Sequence, residues 1–297
     1  MGTTTKWIRK AVHGLRSFAY GGDGTRPKIG LALGGGFARG IAHIGVLRVF
    51  EENEIPIDFI AGTSVGALIG ATYASGTPLD EMERQGSATR FRDFGSWKLS
   101  RMGMASNEPL EHYLHKFTSV EFFSELKIPL SIVATDIITG ESVHFTEGEI
   151  GPALRASCAY PGLFMPVHHQ GKILVDGFLT ETVPAEAARE IGADIVIGVH
   201  LEPGLIESAP RNTIEIISRS FSIIQTAAAQ LWHTDVDVLI EPEVHHILWD
   251  EFVKTPQLVA AGEAAAQAAL PKIRQALSGE GWDDIRARRS ARKFDAT

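Results

Sequence analysis

The chain has 297 residues, 44% hydrophobic and 22% charged, with a formal net charge of −8. These are ordinary globular values that exclude wholesale disorder, and the negative balance speaks against nucleic acid as the main partner. No apolar run reaches the ~18 residues of a membrane-spanning helix, and the single cysteine, Cys158, excludes an intrachain disulfide and a multi-thiolate metal site.

Met1 to Phe18 carries basic residues but no continuous apolar run and no small-residue cleavage site, which predicts a cytoplasmic chain rather than a secreted one. Wound as a helix, Lys6 to Phe18 gathers Trp7, Ile8, Ala11, Val12, Leu15 and Phe18 on one side and Lys6, Arg9, Lys10, His13 and Arg16 on the other. Such a pattern suits an anionic lipid surface or packing against the body of the protein. Lys28 to Leu33 reads as a strand running into Gly34-Gly35-Gly36, after which Ile41, Ile44, Leu47 and Phe50 recur at helical spacing. Asp58 to Ala61 is a second strand, followed by Gly62-Thr63-Ser64-Val65-Gly66 and a small-residue helix, Ala67 to Ala74, that Gly76 stops. Strand, glycine turn and helix thus occur twice, the start of a doubly wound α/β sheet. Phe91 to Met104 holds Phe91, Phe94, Trp97, Leu99, Met102 and Met104 without clear periodicity and reads equally as a lid or as a satellite core. Leu130 to Ile138 and Glu141 to Phe145 flank Thr139-Gly140 as a hairpin, and Ile195 to Leu201 is a buried strand after a helix ended by Gly192. Two long helices follow, Thr213 to Trp232 and Gln257 to Leu277, the second expected to kink or split at Pro271. Arg286, Arg288, Arg289, Arg292 and Lys293 form a basic tail.

Gly62-Thr63-Ser64-Val65-Gly66 matches a nucleophile elbow, in which a strained strand-to-helix turn lifts a serine hydroxyl clear of the backbone; its place between strand and helix is the context that pattern needs. Gly34-Gly35-Gly36-Phe37-Ala38-Arg39-Gly40 also joins a strand to a helix, where backbone N–H groups make an anion site. It lacks the G-K-[ST] ending of a Walker loop, and Arg39 stands where a dinucleotide fingerprint needs its third glycine, so an oxyanion hole fits better. Asp176, in Val175-Asp176-Gly177, reads on its own as a surface turn. The eleven histidines include no H-E-x-x-H spacing, and His168-His169 and His245-His246 read as solvated loop residues.

Taken together, a glycine-rich loop with arginine, G-T-S-x-G about one helix later and Asp-Gly far downstream resemble the patatin-like phospholipases over roughly Lys28 to Leu201. The resemblance implies a three-layer αβα fold with a mostly parallel central sheet and a catalytic dyad without histidine. Residue by residue it puts the nucleophile on Ser64, the base on Asp176 and the oxyanion hole on Gly34, Gly35, Gly36 and Arg39. It implies hydrolysis of phospholipid, lysophospholipid or other acyl esters with neither cofactor nor metal. The chain as a whole is expected to divide into an amphipathic segment, 1–27, a hydrolase domain, 28–280, and the basic tail, 281–297. Phe37 and Phe178 depart from the pattern, standing where bacterial relatives commonly have glycine and glycine or alanine, which bears on substrate size. Three rival readings stay open: a Ser-Asp-His triad using His200 or His233, an acyltransferase, and a non-catalytic lipid-binding protein. Peripheral membrane contact and a homo-oligomer also stay open.

Overall fold

The computed structural model describes residues 26–202, 209–210, 212–232, 235–248 and 250–278. The segment read at Lys6 to Phe18, His233 and the basic tail lie outside them.

The elements, in chain order, are β1 (Ile29–Leu33), α1 (Ala42–Glu52), β2 (Phe59–Thr63), α2 (Val65–Ala74), α3 (Leu79–Ala88), the short α4 (Phe91–Phe94), β3 (Ser96–Ser100), β4 (Gly103–Ser106) and α5 (Pro109–Leu114). They continue with β5 (Leu130–Asp136), β6 (Ser142–Phe145), α6 (Ile150–Ser157), β7 (Val167–His169), β8 (Lys172–Asp176), α7 (Ala185–Glu190), β9 (Ile195–Val199), α8 (Thr213–Trp232), β10 (Val238–Ile240) and α9 (Thr255–Leu277). The main sheet runs β10-β9-β1-β2-β5-β8-β7, with β6 also on β5. Pairing is parallel from β10 through to β5 and antiparallel among β5, β6, β8 and β7.

Alternation along the strands builds the three layers. Ile29, Leu31 and Leu33 of β1, Ile60 of β2 and Ile195, Ile197 and Val199 of β9 belong to one core that includes residues of α1, α2, α6 and α9. The intervening Ala32, Ala61 and Val196 belong to a second core with Ala185, Ala187 and Ala188 of α7. Successive side chains of a strand face opposite ways, so the large residues fill one side of the sheet and the small ones admit a close helix on the other.

Of the kink or split expected at Pro271, the split does not occur: the proline lies inside a continuous α9. The proline sits on the exposed side of the helix, as does Gln267 one turn earlier, so the carbonyl that loses its N–H partner faces water. Leu270 and Ile273 stay buried on the core side and hold the helix together across the interruption.

His144 of β6 ties the sheet edge to the chain that follows β8. Its Nε2 bonds Glu181 and its Nδ1 lies 2.8 Å from Glu190 of α7. Burial alone would lower its pKa, but the hydrogen bonds and charges of the two carboxylates outweigh it and raise the value from 6.5 to about 10. A cation whose folded pKa lies above its unfolded one contributes stability that is complete below pH 6.5 and is lost as pH rises through about 10. His144→Gln is therefore expected to cost about 3 kcal/mol near pH 6, by stranding the largely buried Glu181. Thermal melts of both proteins from pH 6 to pH 10.5 should converge; a constant difference would show that the imidazolium is not the source.

Candidate active site

Thr63 ends β2 and Val65 begins α2, so Ser64 occupies the turn between them with φ 56° and ψ −125°. A non-glycine residue rarely adopts such angles; the strain is held because both neighbours are fixed in regular structure. The Ser64 N–H donates to Ser157 Oγ at 2.8 Å, and Thr63 Oγ1 donates to the Glu181 carbonyl at 2.9 Å. The serine is thereby pinned on both sides of the turn.

Asp176 ends β8. Its N–H donates to the Ala159 carbonyl and its own carbonyl accepts from Thr135 Oγ1, which fixes the backbone from two elements. Carboxylate Oδ1 accepts the Phe178 N–H at 3.1 Å, and Oδ2 accepts directly from Ser64 Oγ at 2.8 Å, with no imidazole between them. Asp176 is 1% exposed. Removal from water raises its pKa, only partly offset by the bonds from Ser64 and Phe178, and takes it from 3.8 to about 7. The turn residue suggested by the Asp-Gly dipeptide is thus a buried carboxylate against the elbow serine.

The glycine loop arrives beside this pair. Gly34 N–H donates to the Val199 carbonyl at 3.0 Å, extending the β1–β9 ladder, and its carbonyl meets His43 Nε2 at 2.8 Å. Gly34 therefore anchors the loop, and its N–H is not available as an oxyanion donor. Gly35 and Gly36 border the cleft that contains Ser64 and Asp176, and their N–H groups donate to no acceptor among the described residues. Arg39 borders the same cleft, with Nε 3.4 Å from the Gly36 carbonyl and Nη1 3.4 Å from that of Glu202.

Several contributors escaped the sequence reading. His43, fully buried in α1, has an Nδ1 with no hydrogen-bond partner among the described residues, and burial lowers its pKa to about 4, so it serves as a neutral donor to Gly34. Its place in the helix after the loop was a signal, but nothing local marks a histidine as facing backward onto that loop. Ser157 ends α6 and Cys158 follows it, the Ser157 Oγ accepting the Ser64 N–H. Cys158 lines the apolar cavity beside Ser64, and removal from water with the nearby Asp176 pushes its thiol pKa up. His200 is tied instead to Glu241 and, through its N–H, to the Ile240 carbonyl.

Two cavities meet at Ser64 and Phe37. One is mostly apolar and runs among Ile44, Leu68, Met82, Phe94, Leu110 and Phe252. The other is the more polar cleft of Gly35, Gly36, Arg39, Asp176 and α8. The residues from Phe91 onward join a satellite core: Phe91 stacks on Trp97 and lies parallel to Phe164, while Phe94 also lines the apolar cavity. The two departures, Phe37 and Phe178, belong to one cluster, each packing on Tyr160 with centroids 5.0 and 5.1 Å away, and Phe178 meeting Phe221 of α8 at 5.2 Å. Phe37 takes φ 52° to reach it. Among the described residues no group of His, Cys, Asp and Glu is arranged to hold a metal ion.

This arrangement has counterparts. An uncharacterised NTE family protein of Mycobacterium tuberculosis is 34% identical over 200 residues, covering 65% of this chain and 55% of that protein. A protein of Aspergillus fumigatus named lysophospholipase nte1 is 31% identical over 205 residues, 65% of this chain and 13% of that one. The chain thus spans about half the length of the mycobacterial relative and a small part of the fungal one. The crystal structure of VipD from Legionella pneumophila shares the fold, with a TM-score of 0.50 at 15% identity over 83% of this chain and 67% of VipD. A family model described as patatin-like phospholipase matches residues 31–189. That stretch carries the glycine loop, the strained serine turn and the buried Asp176 in one unbroken match, and the chain belongs to the patatin-like phospholipase family.

Proposed function

We propose that this chain is a lipid acyl hydrolase that cleaves the carboxylic ester of a phospholipid or lysophospholipid through a Ser64–Asp176 dyad and an acyl-enzyme. The observation that carries the reading is the direct 2.8 Å hydrogen bond from Ser64 Oγ to Asp176 Oδ2 where an apolar and a polar cavity meet. In the first half-reaction Ser64 Oγ attacks the ester carbonyl carbon as its proton passes to Asp176. The oxyanion that forms is stabilised by the Gly35 and Gly36 N–H groups, worth several kcal/mol where donors are preorganised. Collapse breaks the bond to the alcohol, which leaves with the proton from Asp176; water then attacks the acyl-enzyme, returning a proton to Ser64 and releasing the fatty acid. Both Asp176 oxygens already accept hydrogen bonds, and His200 is bound to Glu241, which favours two residues over a Ser-Asp-His triad.

The test is covalent labelling with a fluorophosphonate and product analysis on a mixed phospholipid panel, native against Ser64→Ala. An adduct on Ser64 with fatty acid and lysolipid or glycerophosphodiester as products is expected. No adduct would favour a non-catalytic lipid binder, and acyl groups moved to another alcohol would make the protein an acyltransferase.

The apolar cavity sets a second expectation. Gly86 of α3 borders it, and a Cβ added there would meet only Ile41 side-chain atoms at 3.6 Å or beyond, so a larger residue projects into the space the acyl chain needs. Gly86→Leu is expected to shift preference to shorter chains, each excluded methylene being worth about 0.8 kcal/mol of burial. Turnover against a series of ester chain lengths reads this, and an unmoved optimum would put the acyl chain elsewhere.

A further inference from the structure

Two elements around the cavities turn apolar side chains to water. Among the described residues, every large hydrophobic side chain more than half exposed, apart from Ile138 at the β5–β6 turn, lies on a segment that walls the cavities or packs on their walls. Ile216, Ile223 and Ile224 are on α8, Trp97 and Met102 on the β3–β4 hairpin, and Val253 follows the cavity-lining Phe252. Single exposed hydrophobics are ordinary, but gathered around one site they mark a contact surface. α8 has two faces. Ser218, Ser222 and Gln225 line the polar cleft at i, i+4 and i+7, while Ile216, Ile223 and Ile224 fall about half a turn round the helix, with the exposed Ser220 and Ala227. Between these faces Phe221 packs on Tyr160 and Phe178, and Ile217 lies against Gly162. Glu215 and Arg219 pair with each other at 3.9 Å, so the outer face from Ile216 to Ala227 is apolar and neutral.

The hairpin meets the same stretch of chain. The Met104 and Ala105 N–H groups both donate to the Leu163 carbonyl, and Trp97 stacks on Phe91, which lies parallel to Phe164. Hairpin and α8 thus abut adjacent residues of one turn, Gly162 to Phe164. Around Trp97 and Met102 the chain is basic. Arg90, Arg92, Lys98 and Arg101 are exposed, and the one acid from residue 90 to 106, Asp93, is bonded to Lys116. A chain of net charge −8 therefore carries a local cationic patch beside an apolar face.

We propose that the outer face of α8 and the β3–β4 hairpin together form a docking surface for a lipid bilayer that carries anionic head groups. Among the described residues no helix is long and apolar enough to cross a membrane, so α8 lies along the bilayer surface, its isoleucines at the head-group boundary and its serines over the cleft. Trp97 suits the same depth. The four cations meet anionic head groups, each worth about fivefold in partition. Two copies of this chain meeting through the same face would instead bring four cations from each to one contact, which disfavours a self-association surface. The inference goes beyond the hydrolase reading: it sets where an acyl ester leaves the bilayer, beside Ser64, and it holds whether or not Ser64 reacts.

Sedimentation of the full-length Ser64→Ala protein with vesicles reads docking without turnover, so this surface and the hydrolase reading fail separately. Binding to phosphatidylcholine containing one third phosphatidylglycerol is expected to exceed binding to phosphatidylcholine alone by about tenfold or more, and added salt should weaken it. Lys98→Gln with Arg101→Gln should remove most of that preference. Trp97→Ser with Met102→Ser, and separately Ile223→Ser with Ile224→Ser, should each lower binding to the mixed vesicles by about tenfold or more, with circular dichroism and melting temperature close to native. Three results overturn the proposal. One is no binding to either vesicle. Another is full binding by both apolar variants in folded form, which moves the contact to another surface such as Lys6 to Phe18. The third is an oligomer, formed without lipid, that the isoleucine variant dissociates, which makes the face a contact between copies.

Discussion

Asp176→Asn is expected to abolish ester turnover and at the same time to raise the melting temperature at pH 8. Both results follow from one cause. The carboxylate is held out of water beside Ser64, which moves its pKa from 3.8 to about 7. A buried carboxylate is a stronger base than an ordinary one, and a general base working near its own pKa contributes about 100-fold to 10,000-fold. The same burial makes its ionised form costly to the fold. An acid whose folded pKa lies above its unfolded one stabilises nothing above pH 7; it adds a penalty that is absent below pH 3.8, grows between, and is complete above about 7. The shift corresponds to about 4 kcal/mol as an upper limit. Asparagine keeps the acceptor for the Phe178 N–H and can donate to Ser64, so it relieves the penalty without opening a cavity. Ser64→Ala should lose turnover to the same extent, since the two groups act as a unit and their removal is not additive. In the native enzyme kcat/KM should fall as pH drops through about 7, where Asp176 takes up its proton. Melts at pH 4 and pH 8 with a pH–rate profile decide the matter: an asparagine variant that is active, or no more stable than native at pH 8, removes the buried base from the account.

The parts of this site that local pattern reveals are those built from contiguous chain. Strand, glycine turn and helix lie within a few residues of one another at Gly34 and again at Ser64, so their periodicities and turn residues announced both loops. Asp176 is separated from Ser64 by 112 residues. No periodicity links them, its dipeptide reads as a turn, and only the resemblance to a family motif joined the two. Gly34 was assigned a donor role it cannot fill, because its hydrogen-bond partner, Val199, lies in a strand far downstream whose pairing with β1 the sequence does not disclose. Phe37 and Phe178 looked like two separate departures and are one packing unit around Tyr160 and Phe221. The polar wall of α8 was legible as a helix and illegible as part of a site, since serine and glutamine on a helix face are ordinary until the opposite surface is known.

The elbow glycines permit an experiment that separates backbone from side-chain crowding. A Cβ on Gly66 would lie 2.1 Å from the Leu33 carbonyl oxygen and 2.7 Å from that of Gly34. Leu33 is held in β1 between β2 and β9, so the oxygen cannot retreat without disturbing both pairings. A Cβ on Gly40 would meet Val65 Cγ1 and Cγ2 at 2.4 Å, again an impossible approach, but with the obstacle a side chain. Gly66→Ala is therefore expected to cost about 3 kcal/mol or more and to lower turnover, because relief must come from moving the glycine loop against Ser64. Gly40→Ala should cost about 1–3 kcal/mol, and adding Val65→Ala should recover part of it, since trimming the valine removes the two methyl groups at 2.4 Å and leaves only its Cβ, at 2.9 Å. The coupling in that double-mutant cycle measures contact between Gly40 and Val65, the residue after Ser64. Denaturant midpoints of the native protein, Gly66→Ala, Gly40→Ala, Val65→Ala and the Gly40→Ala, Val65→Ala double variant read the costs. If Val65→Ala fails to rescue Gly40→Ala, or if Gly66→Ala is tolerated with native turnover, the loop and the elbow are not packed as closely as the site requires.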